Sequence, residues 1–167
     1  MKYHQLLENI ITQAEGLIHV MDYEALAKRP APDKWSKKEI IGHLIDSAYN
    51  NHQRFVRATS QENLVFQGYD QNEWVRRNQY QSREVDELLT AWATANRHLA
   101  KAIESLPEEL RKRKTTDHNF HQICMNILTE GEETSLKYLV WDYIWHLEHH
   151  LGQIVPGYER SLGEFKG

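Results

Sequence analysis

Residues 138–154 read YLVWDYIWHLEHHLGQI, an apolar and aromatic run holding three histidines within five positions. The spacing predicts a helix. At about 100° per residue, with Tyr143 set to zero, Leu136, Leu139, Val140, Leu147 and Ile154 fall between about −40° and +60° and form one buried face. His150 near about −20° and His146 near about −60° border that face, whereas His149 near about −120° points outward as a rim residue. His146 and His150 stand at i and i+4, so they project from adjacent turns and can converge on one ion. Glu148, near about +140°, faces away from that pair. Trp141 and Trp145, about 160° and 200° from Tyr143, lie opposite the core face and need a cover. The short helix around Trp74 or a second subunit would supply one, and a homodimer is the expectation. The helix is predicted from an N-cap at or near Thr134 to about Val155, where Pro156 and Gly157 close it.

Outward from this segment the chain is helical in period. Tyr3, Leu7, Ile10, Ala14, Leu17 and Met21 recur at steps of four and three, one stripe of a first helix. The prolines of KRPAPDKW break it, and SKKE then offers a capping box between Ser36 and Glu39, opening a second helix that runs to about Ala58 with Ile40, Leu44, Ala48 and Phe55 inward. LVFQGYDQNEWVRRNQY reads as a loop followed by a short helix. Val85, Leu88, Trp92, Ala95, Leu99 and Ile103 mark a third long helix, ended by Pro107. Four helices of about 20 residues, each about 30 Å long, predict an all-α antiparallel four-helix bundle with an additional short helix, as a single domain over 1–167. The stretch 111–133 is the least regular, and its basic run Arg111 to Lys114 reads as a solvated helix end.

Charge and cysteine content narrow the function classes. Lys plus Arg number 20 against 24 Asp plus Glu, a net charge of −4, which argues against a nucleic-acid or anionic-membrane binder. The single Cys124 excludes an intrachain disulfide and reads, between Ile123 and Met125, as a small buried apolar residue rather than a nucleophile. No apolar run approaches about 18 residues, and the N-terminus lacks the apolar core of a signal peptide, so a cytoplasmic protein with small-molecule partners is expected.

A metal held by two histidines needs a third ligand. With Leu44 at zero, His43 sits near about −100°, beside Ser47 near about −60°, Asn50 near about −120° and Arg54 near about −80°, a polar stripe on the edge of the second helix's apolar face. Taken alone, His43 reads as a hydrogen-bonded core residue; beside His146 and His150 it completes a set of three imidazoles. Ser47, Asn50 and Arg54 then line the pocket or a solvated helix edge, with Arg54 able to grip a carboxylate or phosphate. Tyr69 and Asp70 would cap the pocket, or else form a plain loop in which Asp70 is the N-cap of the helix that follows. HNFH at 118–121 lacks a third ligand nearby, and the five tryptophans read as core or interface.

KWSKKEIIGHLIDSAYNNHQRF followed by VWDYIWHLEHHLGQI resembles the DinB/YfiT-like superfamily, with FQGYDQNEWV between the two also similar to members of the group. The resemblance covers nearly the whole chain. It implies a four-helix bundle with metal ligands at His43, His146 and His150, the trio the helical projection selects. Three neutral imidazoles leave a divalent ion near its full charge with at least one open position, the pattern of catalytic zinc; zinc is the first expectation and nickel the second. The resemblance further implies a thiol S-transferase that joins a low-molecular-weight thiol such as bacillithiol to an electrophile. A metal-dependent hydrolase of a small amide or ester is the alternative, and it would use a general base at the metal, which Glu148 does not supply; Asp46, only about 60° from His43, is the carboxylate placed to reach it. A noncatalytic metal- or ligand-binding bundle in a stress response is the third reading.

Overall fold

In a computed structural model, residues 2–167 are described, and among them the chain forms eight α-helices and no strand beyond two isolated bridges. Four are long: α1 (Tyr3–His19), α3 (Lys37–Arg57), α5 (Val85–Ser105) and α8 (Leu136–Ile154). Four are short: α2 (Tyr23–Ala27), α4 (Gln71–Arg77), α6 (Glu108–Lys112) and α7 (Phe120–Ile123). The four-helix bundle expected from the periodicity is present, with three short helices more than the one anticipated.

Helix ends follow local chemistry. At the start of α3, Ser36 Oγ accepts from Glu39 N at 3.1 Å while the Glu39 carboxylate accepts from Ser36 N at 2.9 Å, the capping box read in SKKE. Arg29 also donates to Glu39, from Nε at 2.9 Å, and so ties the proline-containing turn to the root of α3. α1 ends at His19 rather than Met21, because Asp22 caps a new helix by accepting from Glu24 N. Its buried stripe is Leu7, Ile10, Ile11, Ala14 and Ile18, and Leu17 turns outward. α8 is capped at Ser135, one residue later than expected, because the backbone of Thr134 is engaged in an antiparallel bridge with Thr115.

Side-chain partners give the direction of each long helix. Glu15 with Arg97, Glu8 with Lys101 and His4 with Glu104 make α1 antiparallel to α5. His43 with His150 and Phe55 with Tyr143 make α3 antiparallel to α8. Tyr80, just ahead of α5, packs on Gly42, and His98 stacks on His52, so α3 and α5 run in the same sense. Around the bundle the order is α1, α5, α3, α8, and the connection 58–84, which includes α4, carries the chain back along the bundle. The core between them contains Ile11, Leu44, Phe55, Trp92, Leu99, Ile144 and Leu147.

The expected cover of Trp141 and Trp145 by α4 is corrected: the C-terminal tail lies over them. Trp141 is buried, its Nε1 donates to Gly163 O at 2.9 Å, and its ring packs on Phe165. Trp145 is half-buried beneath the Arg160 guanidinium, 4.6 Å from the ring centroid. These rings therefore give no reason for a dimer. No helix of the described residues is long and apolar enough to cross a membrane.

Candidate metal centre

His43 comes from the second turn of α3 and His146 and His150 from successive turns of α8, and the antiparallel packing of these helices brings the three imidazoles together. Each offers one ring nitrogen, and the three lie within 4.8 Å of one another. His43 is 0 % exposed, under the Trp35 ring at 5.1 Å between centroids. Burial, with the charge of His150, pushes His43 down to about 3, and burial, with His149 adding and a Gln153 hydrogen bond opposing, pushes His150 down to about 4. Burial and its three neighbouring histidines hold His146 well below the usual range. All three are neutral at pH 7, so each presents a lone pair.

The donor set fits a divalent cation. His43 Nε2 and His146 Nε2 stand 3.1 Å apart, and two nitrogens each about 2.0–2.1 Å from one ion at a near-tetrahedral angle stand about 3.3 Å apart. His150 Nδ1 donates to Gln153 Oε1 at 2.8 Å, which fixes its tautomer and leaves Nε2 free to ligate. Ser47 Oγ is 3.5 Å from His146 Nδ1 on that ring's far side. His43 Nδ1 is buried without a partner. His149 stays out of the cluster, with its Nε2 bonded to Gln153 and its Nδ1 near Arg160.

His146 and His150 face a cavity of about 270 Å³ lined also by Ser47, Asn51, Arg54, Tyr69, Cys124 and Asp142. Ser47, Arg54 and Tyr69, singled out in the sequence, are thus beside the imidazoles. Asn50 is not: its Nδ2 donates to Asp46 O at 2.9 Å and its side chain lines a second cavity of about 520 Å³, on the other side of Arg54 and Tyr69. Its neighbour Asn51 takes the inner position. On the opposite side His150 borders an open groove of about 880 Å³ with Trp35, Lys28, Lys34 and Lys37.

The cavity residue Asp142 went unread in the sequence. Asp142 lies one turn before His146 in an apolar run, a signal visible in VWDYIWH. Its carboxylate accepts from Met125 N at 3.0 Å and from Asn126 N and Nδ2 at 2.7 and 2.9 Å, so it anchors the 111–133 segment over the cavity instead of standing free. Cys124 lines the cavity, and burial together with the Asp142 charge raises its thiol far above neutrality, which removes it as a nucleophile. Tyr69 is pushed up to about 12 by burial and remains a phenol. HNFH is structural: His118 Nε2 bonds Glu132 O at 2.7 Å and its Nδ1 accepts from Phe120 N. Asp70 caps α4 through Glu73 N. Glu148 is turned away from the imidazoles, as projected, and takes its bonds from the C-terminal tail.

Comparison with known proteins bears on the family and the fold. A relative from Bacillus subtilis, YfiT, is 22% identical over 153 residues, 92% of this chain and 80% of its own. One from Oceanobacillus iheyensis is 26% identical over 96% of this chain and 87% of its own. Both carry the name "putative metal-dependent hydrolase". The solved structure of YfiT, described as an unusual four-helix bundle, superposes with a TM-score of 0.73 over 92% of this chain and 82% of that one, at 20% identity. That likeness concerns the fold. The profile of the DinB superfamily matches residues 6–154, through both halves of the histidine cluster, and the chain belongs to the DinB superfamily.

Proposed function

We propose that His43, His146 and His150 hold one divalent cation, zinc first and nickel second, and that the protein is a metal-dependent thiol S-transferase. When bound, the cation supplies a Lewis acid that favours the anionic form of a thiol or water at its open position. The observation that supports thiol transfer is the lack, among the described residues, of a disengaged carboxylate at the imidazoles: Asp142 is taken by three donors and Glu148 by the tail. Asp46 Oδ1 accepts from Tyr80 and Asn78, and Asp46 does not border the cavity. Thiolate attack that expels a halide needs no proton delivered to its leaving group, whereas amide or ester hydrolysis uses a carboxylate to pass a proton to the leaving nitrogen or oxygen. The chain's own residues orient and enclose: Gln153 fixes His150, Trp35 confines His43, and the 111–133 segment tethered to Asp142 shields the cavity from bulk water.

The hydrolase reading is second and is favoured by the names of the relatives. A single assay separates the two. With monochlorobimane as electrophile, sulfur forms a bond to carbon, chloride leaves with its electron pair, and the thiol proton passes to solvent. Zinc-loaded protein should conjugate a low-molecular-weight thiol faster than metal-free protein or His43→Ala, with a rate that saturates in thiol and persists below the free thiol's pKa of about 8.5. Cleavage of esters or amides without thiol, inhibited when thiol is added, would instead establish hydrolysis. Metal binding with neither activity would leave a noncatalytic binding protein.

A further inference from the structure

Arg54 is 6 % exposed and forms no ion pair among the described residues. Of its five N–H groups, the two with partners meet neutral oxygens at long range, Nη1 to Asn51 Oδ1 at 3.3 Å and Nη2 to Gln67 O at 3.2 Å. Its Nε–H is buried with no acceptor. A cation taken out of water is normally matched by an anion. Asp142, whose charge reaches Arg54, has its oxygens committed to Met125 and Asn126. The Arg54 side chain forms part of the wall between the cavity that holds His146 and His150 and the second cavity behind it. On the far side of His150, Lys28, Lys34 and Lys37 rim the open groove with Asp33, which pairs with Lys34, and leave that rim net positive.

We propose that Arg54 is an anion subsite, and that the substrate is a small acid whose carboxylate or phosphoryl oxygens pair with its guanidinium while the reacting end lies toward the imidazoles. The direction of the substrate rests on the metal reading above; the anion site itself does not. A planar fork with N–H groups to spare suits two oxygens of one anion, which an ammonium cannot match.

The test uses the metal-free protein, so that an anion cannot be captured by the cation. In protein labelled with ¹⁵N-arginine, the Arg54 Nε–H resonance, assigned by its loss in Arg54→Lys, is followed during titration with acetate and with methylphosphonate. Binding to the variants is read from broadening of each probe's methyl proton signal, with circular dichroism checking the fold. A saturable shift is expected, with affinity falling about tenfold or more in Arg54→Lys and saturable binding lost in Arg54→Gln. A response to acetate alone assigns a carboxylate, to methylphosphonate alone a phosphoryl group, and to both a site for either. No saturable shift with either probe, or unchanged binding in Arg54→Gln, overturns the proposal. All three proteins should still bind zinc, because Arg54 does not touch the imidazoles and only its charge reaches His146; failure of zinc binding in all three would count against the metal site alone.

Discussion

Gly42 and Asp46 show how single residues set the packing of α3 on the side of Tyr80. A Cβ on Gly42 would stand 2.1 Å from Tyr80 Cγ, so only glycine lets that ring lie against α3 immediately beside His43. The ring's hydroxyl then donates to Asp46 Oδ1 at 2.6 Å, Asn78 Nδ2 donates to the same oxygen at 2.9 Å, and Oδ2 is buried without a partner. Burial outweighs those two bonds and pushes the carboxyl from 3.8 up to about 6. The folded state therefore binds this proton more tightly than the unfolded chain. Its contribution to stability is whole below about 3.8 and is lost as pH rises through about 6. Asp46→Asn keeps an oxygen for Tyr80 and Asn78 and removes the charge, so relative to wild type it should gain about 2–3 kcal/mol between pH 4 and pH 8. Urea unfolding at the two pH values checks this, and a difference independent of pH would mean that the carboxyl is not held out of water. The histidine trio was legible in the sequence because i, i+4 spacing and a 3.6-residue period fix which side chains share a face. A glycine inside IIGHLID was an equally plain mark of close approach, but nothing in the sequence says which ring approaches.

At the scale of elements, α8 is shared between two surfaces, the imidazole cavity and the groove that receives the tail. Glu148 is 0 % exposed and accepts from Tyr158 Oη at 2.9 Å, Ser161 N at 2.7 Å and Leu162 N at 2.9 Å. The tail has no helical period of its own. Its docking depends on one carboxylate meeting two backbone amides, which explains why periodicity exposed Trp141 as uncovered yet could not name its cover. Glu148→Gln places an amide where one of the donors must be accepted, and should cost about 2 kcal/mol. Because the tail, not the bundle, is loosened, the far-UV circular dichroism should hold while tryptophan emission shifts to the red and the Ser161 and Leu162 amides exchange faster. Unchanged exchange at those amides would show that the aromatic contacts of Phe165 suffice. The long helices were legible for the opposite reason: each carries a stripe wide enough to state its own inward face. The segment 111–133 was not, since its order comes from distant partners, Leu64 with His118 and Asp142 with Asn126.

For the whole molecule, the question is whether the cation organises the fold or the fold organises the cation. Ile11, Leu44, Phe55, Trp92, Leu99 and Leu147 bury a continuous core that does not include the imidazoles, and a chain of this length needs no metal staple to fold. Without the cation the same nitrogens still pair, His43 Nε2 with His146 Nε2 at 3.1 Å, while His43 Nδ1 has no partner. Removing one imidazole should therefore leave the bundle intact and remove ligand-linked stability alone. His146→Ala should keep its helical circular dichroism, bind no zinc and unfold within about 1 kcal/mol of metal-free wild type. Wild type should gain about 4 kcal/mol at a free zinc concentration 1,000 times its dissociation constant, and the variant nothing. His149→Ala, whose ring lies outside the cluster, should bind zinc with unchanged stoichiometry. Calorimetric unfolding of the three proteins with and without zinc measures each of these. If His146→Ala unfolds at room temperature, the imidazoles are part of the core. If it keeps its zinc-dependent gain while His149→Ala loses it, the cation belongs to the rim of α8 and not between the helices.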